Sequence, residues 1–146
     1  MKIESEAFGH NGKIPAKYTC DGENVSPPFA FSGVPKNAES LVLIVDDPDA
    51  PNGLWVHWTL WNISPKTASI GEGESPKEAT EGTTSFGATH YGGPCPPDGE
   101  HRYFFKLYAL DILLELPRET KKDGLEEMIL GHVLDKAELT GYYTRQ

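Results

Sequence analysis

The chain has 146 residues, with 13 basic against 22 acidic side chains, a formal net charge of −9 and an isoelectric point near 4.9. That length suits one domain spanning residues 1–146, long enough to bury about two-thirds of the surface its unfolded form exposes without a metal or disulfide staple. The acidic balance excludes a sequence-independent grip on nucleic acid or anionic lipid, both of which need a basic field, so any anion must be captured locally.

Residues 1–6 lack the apolar centre of a signal peptide, and the longest apolar run, residues 41–45, is too short to cross a bilayer. The expectation is a cytoplasmic protein with no transmembrane segment. Twelve prolines and fifteen glycines cut the chain into short pieces rich in aromatic and β-branched residues, which predicts a mostly β protein. Residues 40–46 read as a strand buried on both faces, ending at the acidic turn Asp46-Asp47-Pro48-Asp49. Residues 55–63 alternate, with Trp55, His57, Thr59, Trp61 and Ile63 on one face, and neither face is plainly polar. Residues 66–90 read as a long surface connection. Residues 101–111 give a third strand, with His101, Tyr103, Phe105, Leu107 and Ala109 on one side and Arg102 on the other. Three such strands predict an antiparallel sandwich of sheets. From Asp123, the stripe Leu125, Met128, Ile129, Val133 and Ala137 predicts a helix near the C-terminus, with Asp123 and Glu126 spaced as a capping box.

Chemistry concentrates in a few segments. His101 and Tyr103 share a strand face after the stiff loop Gly92-Gly93-Pro94-Cys95-Pro96-Pro97, and His57 lies upstream. Imidazoles, a phenol and loop amides form a donor set for phosphate or carboxylate. Taken alone, His57 among large apolar residues reads rather as a buried, hydrogen-bonded core histidine. The run Asp46-Asp47-Pro48-Asp49 does not fit a calcium loop, because the twelfth position counted from Asp46 or Asp47 is His57 or Trp58 rather than Glu. One of its carboxylates is better used to accept an imidazole N–H, fixing the tautomer and favouring the charged ring. Arg102 is expected to pair with an acidic side chain, and His10, His90 and His132 to be surface or packing residues. Cys20 and Cys95 read as two reduced thiols without the companions of a zinc site. A Cys95 thiolate with His101 or His57 as base is the alternative chemistry, a hydrolase or a redox-active protein.

The segments Asp47-Pro48-Asp49-Ala50-Pro51, Trp55-Val56-His57-Trp58, Gly92-Gly93-Pro94-Cys95-Pro96-Pro97 and His101-Arg102-Tyr103 resemble, in order and spacing, the phosphatidylethanolamine-binding protein family. Tyr18-Thr19-Cys20-Asp21-Gly22, Ser26-Pro27-Pro28 and Gly131-His132-Val133-Leu134 extend the likeness to its compact bacterial and archaeal branch. The resemblance implies an antiparallel β-sandwich with a few short helices and an anion pocket at one end. It implies ligand-binding roles for Asp47, His57, Gly93, His101 and Tyr103, with Asp49, Pro51, Pro94 and Cys95 shaping the pocket. It implies a binder rather than an enzyme, without cofactor or metal. The partners it implies are phosphate, a phosphorylated small molecule or a phospholipid headgroup, and beyond them a protein kinase, a serine protease or a second copy of the chain. The matching loops bring Cys20 and Cys95 toward the pocket mouth, which leaves a bond between them open.

Overall fold

The computed structural model describes residues 1–145. In chain order its strands are β1 (Lys2–Glu4), β2 (Gly12–Lys13), β3 (Phe29–Ser32), β4 (Ser40–Asp47), β5 (Trp55–Ile63), β6 (Ser69–Ile70), β7 (Thr80–Glu81), β8 (Glu100–Leu110) and β9 (Val133–Thr144). A single-turn 3₁₀ helix covers Ala16–Tyr18, and α1 covers Lys122–Ile129. The strands form a six-stranded sheet in the order β2-β9-β8-β4-β5-β7 and a three-stranded sheet in the order β1-β3-β6. All pairings are antiparallel except the short parallel contact between β2 and β9.

The position of β4 follows from its composition. An unbroken apolar run is satisfied only where both faces are covered, and every residue of β4 is buried between β5 and β8. Its Leu41, Leu43 and Val45 join Phe105 and Leu107 of β8 and Phe29 and Phe31 of β3 in the main core between the sheets. Phe105 sits at its centre, with ring centroids 5.5 Å from Phe8 and 5.4 Å from Phe29. Val42 and Ile44 face the other way and, with Trp61, receive Leu125 and Ile129 of α1.

Two irregularities in β5 alter its predicted alternation. Val45 pairs with Trp58 while Asp46 pairs with Val56, so His57 is an extra residue on β5. A second shift lies between the pairs Leu43–Leu60 and Leu41–Ile63, where Asn62 adopts a φ of 56°. Trp58, Leu60 and Ile63 consequently share the main core, and Trp61 turns to α1. A bulge of this kind bends a strand and re-aims a side chain.

Four expectations need correction. The helix stops at Ile129, Gly131 takes a φ of 81°, and residues 133–144, including Val133 and Ala137, form β9 paired along the whole of β8. The capping box does not form, because Lys121 is the N-cap and no side chain caps it, and Met128 is exposed. The connection over residues 66–90 carries β6 and β7, which complete both sheets. Finally, Cys20 and Cys95 are not reduced thiols but form a disulfide with Cα atoms 5.4 Å apart.

The packing predicts a sharp contrast between two truncations in urea unfolding. Phe105→Ala, which empties the centre of the main core, is expected to cost about 3–5 kcal/mol. Met128→Ala, at an exposed position of α1, is expected to stay within about 0.5 kcal/mol of the wild type. Equal losses would contradict this assignment of the core.

Candidate functional site

The irregular end of the central strands builds a cavity of about 190 Å³. The end of β4 contributes Asp47, the bulge of β5 contributes His57, and the start of β8 contributes His101 and Tyr103. Loops complete it with Pro51, Phe86, Cys95, Pro96 and Pro97. Strand alternation puts His101 and Tyr103 on one face, as their spacing predicts, and the bulge brings His57 to them. The ring of Tyr103 lies 5.3 Å from that of His57 and 6.4 Å from that of His101, centroid to centroid.

Hydrogen bonds orient both imidazoles. Asp47 Oδ2 lies 2.7 Å from His101 Nδ1, and the carboxylate accepts the ring N–H. His57 Nδ1 lies 2.6 Å from the Gly92 carbonyl oxygen, an acceptor only, so Nδ1 carries a hydrogen. In each ring Nε2 is the nitrogen left for the cavity. The carboxylate expected to serve an imidazole is therefore Asp47, and its imidazole is His101. His57 is only 3 % exposed, and this burial pushes its pKa below the usual imidazole value against the opposing pull of Gly92 and Asp47. Tyr103 is 1 % exposed, and its hydroxyl has no hydrogen-bond partner among the described residues. Burial, reinforced by Asp47, pushes that phenol pKa up, so it remains a protonated donor.

The acidic turn divides its three carboxylates among three partners. Asp46 is buried 3.0 Å from Lys106 Nζ on the opposite sheet face, and burial pushes its pKa up despite that ammonium. Asp47 takes His101, and its other oxygen accepts the Asp49 N–H at 2.7 Å. Asp49 accepts from Nε, Nη2 and the backbone N–H of Arg102 at 2.8–2.9 Å, which holds its pKa down at about 2. Arg102 thus has the structural role expected of it, and Asp49 shapes the turn from outside the cavity.

Other predicted residues are placed differently. Gly93 does not line the cavity, and its N–H donates to Asn24 Oδ1 at 2.8 Å, so this amide is already engaged. A Cβ at Gly93 would collide with the Tyr18 carbonyl and Asn24, which explains glycine there as a close approach of two loops. Pro94 lies behind the wall, its carbonyl accepting the Cys20 N–H at 3.1 Å. Cys95 does line the cavity, but as half of a disulfide, which removes the thiolate needed for a Cys95–His101 enzyme. His10, His90 and His132 lie outside it. Sequence reasoning missed Phe86 and placed Trp55 without a role. Both are partly exposed at the mouth with ring centroids 5.3 Å apart, and Phe86 also packs edge-on against His57. A larger groove of about 480 Å³ runs past Leu54, Thr83 and Lys121, but it holds neither imidazole nor the unpartnered phenol. The chemistry belongs to the smaller cavity.

Comparison with known proteins agrees with this fold. The family model described as phosphatidylethanolamine-binding protein matches residues 4–144. A protein of Methanothermobacter thermautotrophicus named UPF0098 protein is 47 % identical over 150 residues, covering 99 % of each chain. Among solved structures, a phosphatidylethanolamine-binding protein homologue from Chlamydia trachomatis superposes with a TM-score of 0.96 at 43 % identity, over 99 % of this chain and 97 % of that one. YbcL of Escherichia coli, described as a member of the mammalian family of that name, gives a TM-score of 0.93 at 28 % identity over 99 % and 98 % of the two chains. With a sandwich whose central strands end at paired imidazoles, and a match across nearly all of its length, this chain belongs to the phosphatidylethanolamine-binding protein family.

Proposed function

We propose that the protein binds, without turning over, a phosphate or a phosphoryl group carried on a small organic molecule or a lipid headgroup. The observation that carries this reading is the buried Tyr103 hydroxyl, without a partner among the described residues, on a ring that packs near both His57 and His101 at the cavity. A buried donor left unpaired costs about 1–3 kcal/mol, a cost that a bound acceptor removes. Phosphoryl oxygens supply acceptors for the phenol and for each imidazole Nε2 once that ring takes up a proton. The cavity mouth extends the reading, because Trp55 and Phe86 are 38 % and 49 % exposed and offer apolar surface to whatever carries the anion. The same rim favours a second role, in which a protein partner rests on it and the chain acts as a regulator or inhibitor of a kinase or serine protease. Among the described residues no helix is long and apolar enough to cross a membrane.

Titration of inorganic phosphate, followed by calorimetry, is expected to saturate for the wild type and to weaken at least about tenfold for His101→Ala, the loss of one charge-assisted hydrogen bond. Unchanged affinity in the variant contradicts the assignment.

The pH dependence has a definite sign. Burial keeps His57 neutral below the usual imidazole pKa of about 6.5. A bound anion favours its proton, so binding takes up a proton and tightens as pH falls. Asp47, His101 and Tyr103 are the other ionisable side chains lining the cavity, and the first two act electrostatically on the His57 ring. Affinity for sulfate, a tetrahedral anion whose charge is constant over the interval, is expected to rise from about pH 8 to about pH 5. A flat profile over that interval overturns the role of the imidazoles.

A further inference from the structure

One wall of the cavity is built by Cys95, Pro96 and Pro97, and its backbone is weakly anchored. Before it, Gly92 N–H donates to the His57 carbonyl at 3.1 Å, Gly93 N–H to Asn24 at 2.8 Å, and the Pro94 carbonyl accepts from Cys20 at 3.1 Å. After it, Glu100 pairs with Thr144. Between these anchors, residues 95–99 make no backbone hydrogen bond among the described residues, and Pro96 and Pro97 have no N–H to give. The covalent tie across this gap is the Cys20–Cys95 disulfide.

The other end of that tie is braced. Thr19 and Gly22 close turns on the Ala16 and Thr19 carbonyls at 3.1 Å. Asp21, next to Cys20, accepts from the Tyr143 hydroxyl at 2.5 Å and from Arg145 at 3.0 Å. The disulfide therefore fastens a loosely bonded wall to a loop held firmly by β9. Cys95 is exposed and Cys20 only partly so, which makes the Cys95 side the more open approach for an attacking thiolate.

We propose that the Cys20–Cys95 disulfide is a redox latch on the anion cavity: a dithiol reductant opens it, frees the 95–99 wall and weakens anion binding. The proposal rests on the anion reading of the cavity above. A reductant thiolate attacks the Cys95 sulfur, forming a mixed disulfide there as the Sγ–Sγ bond breaks and Cys20 leaves as a thiolate that takes a proton. The second thiol of the reductant then displaces Cys95, which leaves as a thiol, and the reductant departs as its own disulfide. Two electrons pass to the cysteine pair. The imidazoles and Tyr103 lie on strands and stay in place, so the effect comes from lost preorganisation of the wall.

The test compares oxidised and dithiol-reduced wild type by three readouts. Amide hydrogen exchange is expected to speed up about tenfold or more at the hydrogen-bonded amides that flank the wall, those of Cys20, Gly92 and Gly93, while β4 and β8 stay protected. The near-ultraviolet circular dichroism of buried Trp58 and Trp61 is expected to persist. Inorganic phosphate affinity is expected to fall about tenfold, and the Cys20→Ser/Cys95→Ser variant to match the reduced protein under oxidising conditions. Unchanged exchange, or equal phosphate affinity in both states, overturns the latch while leaving the anion reading intact. Loss of the tryptophan signal also overturns it, making the bond a staple of the whole fold. If the wall loosens but neither state binds phosphate, the anion reading fails and with it the latch as a control on binding.

Discussion

A single buried carboxylate, Asp47, joins the architecture to the site. It stands at the last position of the most buried strand, where the sheet core gives way to the cavity. One oxygen fixes His101 across the strands and the other holds the Asp49 N–H, and Asp49 in turn clamps Arg102 on the opposite face of β8. Buried polar networks of this kind are costly unless satisfied, and a satisfied one restricts the conformations available to its members. The hydrogen bonds of Asp47 thus set both the direction of the His101 ring and the path of the turn that carries Pro51 into the cavity rim.

The bulge at His57 supplies the complementary constraint. Without the extra residue, regular alternation would turn His57 and Trp58 to opposite faces. With it, Trp58 packs in the main core while His57 reaches the cavity beside Tyr103. The result is a small region that gathers a phenol donor and two proton-accepting imidazoles in a protein whose net charge is −9. Long-range electrostatics repel an anion from such a molecule, so the capture proposed above depends on short-range hydrogen bonds in a buried setting, where they act most strongly.

Much of this was legible in the sequence, for physical reasons that differ by element. β4, β5 and β8 are long and strongly patterned, and the common face of His101 and Tyr103 follows directly from the two-residue repeat of a strand. The last helix was overextended because Val133 and Ala137 happen to continue a helical stripe. The non-local pairing of residues 133–144 with β8 decides that segment, and a local pattern does not display it. Gly93 sits in the recognised loop, yet its amide is taken by Asn24, some seventy residues away in sequence, a contact visible only once the chain is folded. Phe86 was hidden in a stretch that reads as polar connection. The disulfide was undecidable for the same reason as the Asn24 contact: whether two cysteines 75 residues apart meet is a property of the fold.

The most direct test of the central claim is the ¹⁵N ring spectrum of His57 and His101 during titration with inorganic phosphate near pH 6. The account predicts that the Nε2 resonances of both rings shift together and saturate, with His57 taking up a proton as the anion binds. Ring signals that ignore phosphate, or that respond equally to chloride at the same ionic strength, would contradict it.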